Sequence, residues 1–288
     1  MAKGMSLHIG VNEVDPDHYW KSMDEKGWKG RLEGCENDAR AMHDLAVKQG
    51  FEATLLITRE ATREKVKAAI EKAAKTLVPG DFFFLTYSGH GSQVADISGD
   101  EMNDDVLFGG TGDTRDETWC LYDKQLLDDE LLYLWAQFKE GVRILIFSDS
   151  CHSGTVSRGL LGEDTPAVEE GIGYRLVPRA TLAATYIKNQ EFYNGLQSEG
   201  DILPKVKARV LLFSGCQDDQ LSQEDQLSFP PHGFFTLAVL NAWKAGDFEN
   251  YTDFFTRITE KIPKSQTPNR YVFGEEISDF ESGKPLTV

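Results

Sequence analysis

The sequence predicts an α/β protein built on a mostly parallel central sheet with helices on both faces. Three observations predict it. Strand-like and helix-like segments alternate through the first half of the chain. Residues 81–87, 142–148 and 209–214 are short, nearly unbroken apolar runs, the pattern of strands covered on both sides. Alternating strands and helices join through right-handed crossovers, which lay neighbouring strands parallel.

Taken in order, residues 6–11 read as a short buried strand ending at Asn12. Residues 15–32 are polar and aromatic without periodicity and read as a loop. An amphipathic helix is predicted over 37–49, with Ala39, Ala41, Met42, Leu45 and Ala46 toward one side and Gly50 closing it. A strand over 53–57 follows. Thr62 then caps a helix carrying Val66, Ala69, Ile70, Ala73 and Leu77 at helical spacing, stopped by Pro79-Gly80. The strand at 81–87 ends abruptly in Ser88-Gly89-His90-Gly91, and the residues after it are acidic and glycine-rich. Residues 127–138 predict another helix, with Asp128 and Asp129 at its start and Gly141 after its end. The strand at 142–148 runs into Asp149-Ser150-Cys151-His152-Ser153-Gly154. Residues 155–207 are weakly periodic. The strand at 209–214, helices at 234–243 and 251–262, and an edge strand at 267–273 complete the chain. There is no internal repeat and no low-complexity run. One domain is expected over 1–288, with a long inserted connection at about 155–207.

The 288 residues carry 30 Lys+Arg against 47 Asp+Glu, a net charge of −17. Nucleic-acid binding needs a basic surface, and an acidic chain repels anionic membranes, so neither class is expected. No apolar run is long enough for a signal peptide or a membrane span. Cys35, Cys120, Cys151 and Cys216 are widely spaced with no CxxC pair, which argues against a zinc site or a disulfide framework. Free thiols point to a reducing cytoplasm.

In parallel α/β sheets, ligands bind beyond the carboxyl ends of the strands, and both unusual clusters are predicted there. His90 stands between two glycines, which free the backbone and leave its amides open. Cys151 follows a buried strand among small polar residues. A thiol needs an adjacent base to become a strong nucleophile, and histidine is the usual one. The two strands need only be neighbours for His90 and Cys151 to meet.

YSGHG (87–91) and DSCHSGT (149–155) resemble the two catalytic segments of metacaspases, caspase-like cysteine peptidases. GCENDA (34–39), PGDFFFLTYSGHG (79–91), LDDELL (127–132) and SGCQDDQLSQE (214–224) extend the resemblance to nearly the whole chain. It implies a three-layer caspase-hemoglobinase-like fold, with Cys151 as nucleophile and His90 as general base or proton shuttle. Gly91 and Cys151 would lend backbone amides to the oxyanion hole. His152 is read as structural. The first core strand begins within ten residues of Met1, so no pro-region is expected ahead of it.

The resemblance further implies cleavage after Arg or Lys, with Cys35, Asp38, Ser88 and Asp149 forming the primary specificity pocket. Two carboxylates beside a nucleophile suit a guanidinium, which they bind in a bidentate manner. Asp105, Asp128 and Asp129 match three acidic positions of the family's calcium site, whereas Ser157 and Arg158 stand in the region of a fourth. No cofactor is required for the chemistry, and calcium is expected only as an activator. Expected partners are protein or peptide substrates with Arg or Lys at the cleavage site, and an upstream activating protease. The competing readings are a catalytically silent caspase-like scaffold that binds a peptide or protein, and a non-proteolytic hydrolase or acyltransferase using the same dyad. The connection at 155–207 carries Arg158, Arg175, Arg179, Lys188, Lys205 and Lys207. It is expected to lie near the pocket and to be cut after one of them.

Overall fold

A computed structural model describes residues 2–95, 115–151, 171–197, 204–216, 222–276 and 278–288. The central sheet is built from β1 (Gly4–Gly10), β2 (Glu52–Ile57), β3 (Phe82–Ser88), β7 (Arg143–Asp149), β9 (Arg209–Ser214) and β12 (Asn269–Gly274). Its order is β12-β9-β7-β3-β1-β2. The four pairings that do not involve β12 are parallel, and β12 closes one edge antiparallel to β9.

Side chains alternate across a strand, and here the alternation feeds two cores. Leu7, Ile9, Phe83, Leu85, Ile144, Ile146 and Leu212 face one way, against α2 (Arg63–Thr76) and α3 (Asp128–Ala136). Phe82, Phe84, Leu145, Phe147, Leu211 and Phe213 face the other way, against α1 (Cys35–Lys48), α6 (Phe234–Ala245) and α7 (Tyr251–Thr259). The result is the three-layer α/β arrangement expected from the apolar runs. Fully burying a Phe contributes about 1.5–3 kcal/mol, so these paired faces hold the sheet in register.

Helix ends follow local chemistry. The Thr62 hydroxyl accepts the Lys65 amide at 3.4 Å and caps α2, and the Asn250 side chain accepts the Asp253 amide at 2.9 Å and caps α7. Gly246 ends α6 in the left-handed conformation at φ 72°, where a Cβ would be strained.

Two small sheets flank the C-terminal edge. One is β4 (Gly91–Ala95), β5 (Arg115–Cys120) and β6 (Gln125–Leu127). Its middle strand starts inside the stretch that reads as acidic and glycine-rich, and its second half buries Thr118, Trp119 and Cys120. The second sheet is β11 (His232–Gly233), β10 (Gln223–Asp225) and β8 (Ile172–Tyr174). The weakly periodic connection thus contains β8, together with α4 (Arg179–Lys188) and α5 (Gln190–Gln197). α4 buries Thr181, Ala184 and Thr185, small and polar side chains that leave little hydrophobic periodicity to read. The last helix is α8 (Ser278–Glu281). Among the described residues, no helix is long and apolar enough to cross a membrane.

Candidate active site

Parallel pairing brings the two unusual clusters together. In register, Ser88 at the end of β3 pairs with Asp149 at the end of β7, so the chain leaves adjacent strands at the same level. Gly91 then packs directly on the Cys151 backbone. A Cβ at residue 91 would lie 1.6 Å from the Cys151 carbonyl oxygen, so only glycine permits this approach.

His90 and Cys151 are both buried. The His90 backbone is pinned, because its carbonyl accepts the Tyr87 hydroxyl at 2.7 Å and the Cys120 amide at 3.0 Å. Tyr87 stacks on Trp119 with centroids 4.6 Å apart. The His90 ring packs on Trp28 and directs Nε2 at the Gly30 carbonyl, 3.0 Å away. A carbonyl only accepts, so Nε2 carries the hydrogen and Nδ1 is the basic nitrogen of the neutral ring. Burial dominates the ring's acidity and lowers its pKa from 6.5 to about 4; the ring is neutral near pH 7. Among the described residues its Nδ1 is buried without a hydrogen-bond partner, so thiol and imidazole are not bonded to each other. The Cys151 sulfur instead accepts the Ser222 amide at 3.0 Å and reaches the Ser222 carbonyl at 3.6 Å.

Beside the thiol, three carboxylates converge on one guanidinium that belongs to this chain. Arg175, fully buried, lies 2.7 Å from Asp38, 3.0 Å from Asp149 and 3.5 Å from Glu224. Its Nη1 also donates to the Ser88 hydroxyl and the Asp149 carbonyl, each at 2.8 Å. Each carboxylate is held from behind. Asp38 accepts from the Ser88 hydroxyl at 2.7 Å and the Gly233 amide at 3.2 Å, with His232 Nδ1 at 2.8 Å. Asp149 accepts from the Ser222 hydroxyl at 2.7 Å and from the Thr236 amide and hydroxyl at 2.9 and 2.8 Å. Glu224 accepts the Glu33 and Gly34 amides at 2.8 and 3.1 Å. A Cβ at Gly233 would sit 2.6 Å from the guanidinium, so that glycine leaves the room the arginine occupies.

Burial opposes the charge on Arg175, but Asp149 and the other acidic groups around it outweigh burial and raise its pKa further. Burial raises the Asp149 pKa, with Arg175 pulling it back. Cys35, the first residue of α1, is buried against Ser88 and Arg175, and burial pushes its thiol well up. Asp38, Ser88 and Asp149 therefore surround the Arg175 guanidinium, with Cys35 beside it.

The Arg175 backbone is placed as deliberately as its side chain. Its amide donates to the Ser222 carbonyl at 3.0 Å, and its carbonyl accepts the Gly91 amide at 3.2 Å. The residues before it form β8, antiparallel to β10. An extended peptide thus lies along β10 with an arginine side chain in the acidic pocket.

Asp128 and Asp129 open α3, where the Asp128 carboxylate accepts the Asp129 amide at 3.0 Å. Asp105, Ser157, Arg158 and His152 lie outside the described residues. No group of three metal-ligating side chains occurs among the described residues, so two carboxylates of the expected calcium set are placed and no metal geometry is drawn from them. Sequence reasoning missed Glu224, the Gly30 carbonyl and Ser222. Glu224 stands in a segment already singled out, where a fully buried acid on a three-residue strand leaves no local trace. The Gly30 carbonyl is a backbone atom and has no sequence signal.

The family profile described as Caspase domain matches residues 3–280. Metacaspase-1A of Aspergillus clavatus is 27% identical over 297 residues, covering 92% of this chain and 64% of that protein. Metacaspase-1 of Botryotinia fuckeliana is 26% identical over 296 residues, covering 92% of this chain and 66% of that protein. The chain spans just under two thirds of the length of these curated relatives. A crystal structure of a Geobacter sulfurreducens protein is 44% identical, with a TM-score of 0.82 over 99% of both chains.

Proposed function

The chain belongs to the caspase domain family, and from this premise we propose that it is a cysteine endopeptidase cleaving after Arg or Lys, with Cys151 as nucleophile and His90 as base. The observation that carries the proposal is Arg175. Its guanidinium lies among Asp38, Asp149 and Glu224 while its carbonyl takes the Gly91 amide, the pose a substrate arginine needs at a scissile bond.

In the proposed reaction, His90 Nδ1 takes the Cys151 thiol proton and the thiolate attacks the carbonyl carbon after the basic residue. The developing oxyanion is held by the Gly91 and Cys151 amides. Collapse breaks the C–N bond, and the leaving amine takes the proton back from His90. Water, deprotonated by the same ring, then hydrolyses the thioester and frees the thiol.

The same geometry supports control by the chain's own connection. Arg175 fills the pocket, so an external substrate is excluded until the segment leaves. Cutting the Arg175–Leu176 bond, by this enzyme or by an upstream protease, gives the segment a free end and releases it. Calcium is proposed as an effector acting at Asp128 and Asp129, outside the chemistry. A reducing cytoplasm is the proposed setting, supported by four buried cysteines, none of them in a disulfide.

The deciding experiment incubates wild-type and Cys151→Ala proteins with fluorogenic Arg, Lys and Asp peptides, with and without calcium, and sequences any new N-termini. Arg and Lys turnover by wild type alone, with a new end at Leu176, is expected. No turnover of any peptide before or after cleavage of the connection overturns the proposal in favour of a silent peptide-binding scaffold.

A further inference from the structure

Glu224 faces two positions of the extended segment. One is Arg175, whose charge it meets at 3.5 Å. The other is its register partner Gly173, because residues two apart on a strand share a face. A Cβ at residue 173 would lie 2.8 Å from Glu224 Cγ, 2.9 Å from Glu224 Oε1 and 2.6 Å from Gln226 Nε2. The Gln226 amide is the end of a flexible side chain and can swing aside. Glu224 cannot. Its residue is fully buried, its carboxylate takes the Glu33 and Gly34 amides and the Gln226 amide, and its backbone is paired on both sides, to β8 and β11.

Backbone conformation does not explain a glycine here. Gly171 has φ of 86°, where glycine is favoured, but Gly173 is not among the positive-φ glycines. The space in front of Glu224, not the twist of the chain, is what excludes a side chain. Ile172 and Tyr174 point to the other face and are partly exposed, so nothing comparable restricts them.

Resting on the proposed cleavage after Arg or Lys, we propose that this site selects glycine two residues before the scissile basic residue, and that Glu224 enforces the selection. One carboxylate then reads charge at one substrate position and absence of a side chain at another. The preferred substrate class is an extended peptide of the form Gly-X-Arg, with X unrestricted by this wall.

Two measurements test it. In the first, cleaved enzyme is given acetyl-Ile-Z-Tyr-Arg fluorogenic peptides with Z as Gly, Ala or Val, alongside a single-residue arginine amide. Overpacking against a fixed wall lowers kcat/KM on the order of 10-fold for Ala and 100-fold for Val, and Glu224→Ser brings the Gly:Ala ratio close to one even as total turnover falls. Hydrolysis of the arginine amide with equal rates for Gly and Ala peptides overturns the glycine selection while leaving arginine cleavage standing. No hydrolysis of any arginine substrate overturns the cleavage reading instead. The second measurement needs no activity. In the Cys151→Ala full chain, Gly173→Ala expels the segment, and trypsin then cuts after Arg175 at least about 10-fold faster than in the Cys151→Ala parent, with the melting temperature confirming that both are folded. Equal protection of Arg175 in the two proteins overturns the proposal independently of catalysis.

Discussion

The Gly91 backbone lies so close to Cys151 that a Cβ at residue 91 would fall 1.6 Å from the Cys151 carbonyl oxygen. The loop after β3 and the loop after β7 therefore act as one unit, and the histidine of one cannot be positioned without the cysteine of the other. Gly91→Ala must push the two loops apart. The expected result is a loss of at least about 100-fold in kcat/KM, since the Gly91 amide is the proposed oxyanion donor, with a smaller loss in melting temperature. Unchanged kcat/KM in steady-state assays would remove Gly91 from the oxyanion role.

Asp38 and Asp149 bring charge to the pocket from opposite sides, one on α1 and one at the end of β7. Asp38→Ala or Asp149→Ala is expected to lower kcat/KM for Arg peptides by about 10- to 150-fold, the worth of one charge-assisted hydrogen bond at about 1.5–3 kcal/mol. Asp149→Ala should also loosen α6, because Thr236 loses its acceptor. Parallel kinetics on Arg and Asp peptides check this; equal hydrolysis of both by the unmodified enzyme would refute an acidic pocket.

Arg175→Gln removes the cation from among three buried carboxylates. Leaving them unpaired in place would cost about 3–5 kcal/mol, so the segment is expected to leave and water to enter. The variant should hydrolyse Arg peptides without a lag, and gels should show no cut between residues 175 and 176. A variant as slow as the uncut parent would mean that Arg175 does not gate the site.

The pH dependence of stability has a definite sign. His8 is fully buried between Thr86 and Ser6, and burial, helped by His43, lowers its pKa from 6.5 to about 3. His18 and His90 are lowered to about 4, chiefly by burial. Each folded pKa lies below its unfolded value, so unfolding takes up protons once the pH drops beneath 6.5. Stability is retained above that pH and falls as acid is added, by about 1.4 kcal/mol per pH unit for each fully buried neutral histidine. Urea unfolding at pH 7, 6 and 5 should show this loss, and His8→Gln should flatten the slope by about one proton. An unaltered slope in that variant would exclude His8 as a contributor.

Much of this protein was legible in the chain alone. The unbroken apolar runs predicted strands covered on both faces, and β3, β7 and β9 are such strands, with β9 spanning the expected residues 209–214. Thr62 capped the helix it was expected to cap. Two polar clusters at strand ends placed His90 and Cys151 at one sheet edge before any register was known. These signals are local, carried by periods of two or 3.6 residues and by capping chemistry within one turn.

What only tertiary structure decided acts across long separations. Arg175 meets Asp38 from 137 residues away and Glu224 from 49, and no local pattern distinguishes it from the five other basic residues of the connection. β8 has three residues, two glycines stand within a span of three positions, and no apolar alternation marks it as a strand. It becomes one because β10 offers unpaired backbone and three carboxylates await a cation at its end. Glu224 is likewise an ordinary acid in the sequence, and it becomes a wall and a counter-charge only once the Glu33 and Gly34 amides fix it. Charge pairing and backbone complementarity are properties of surfaces brought together by folding, so they are decided where the chain meets itself.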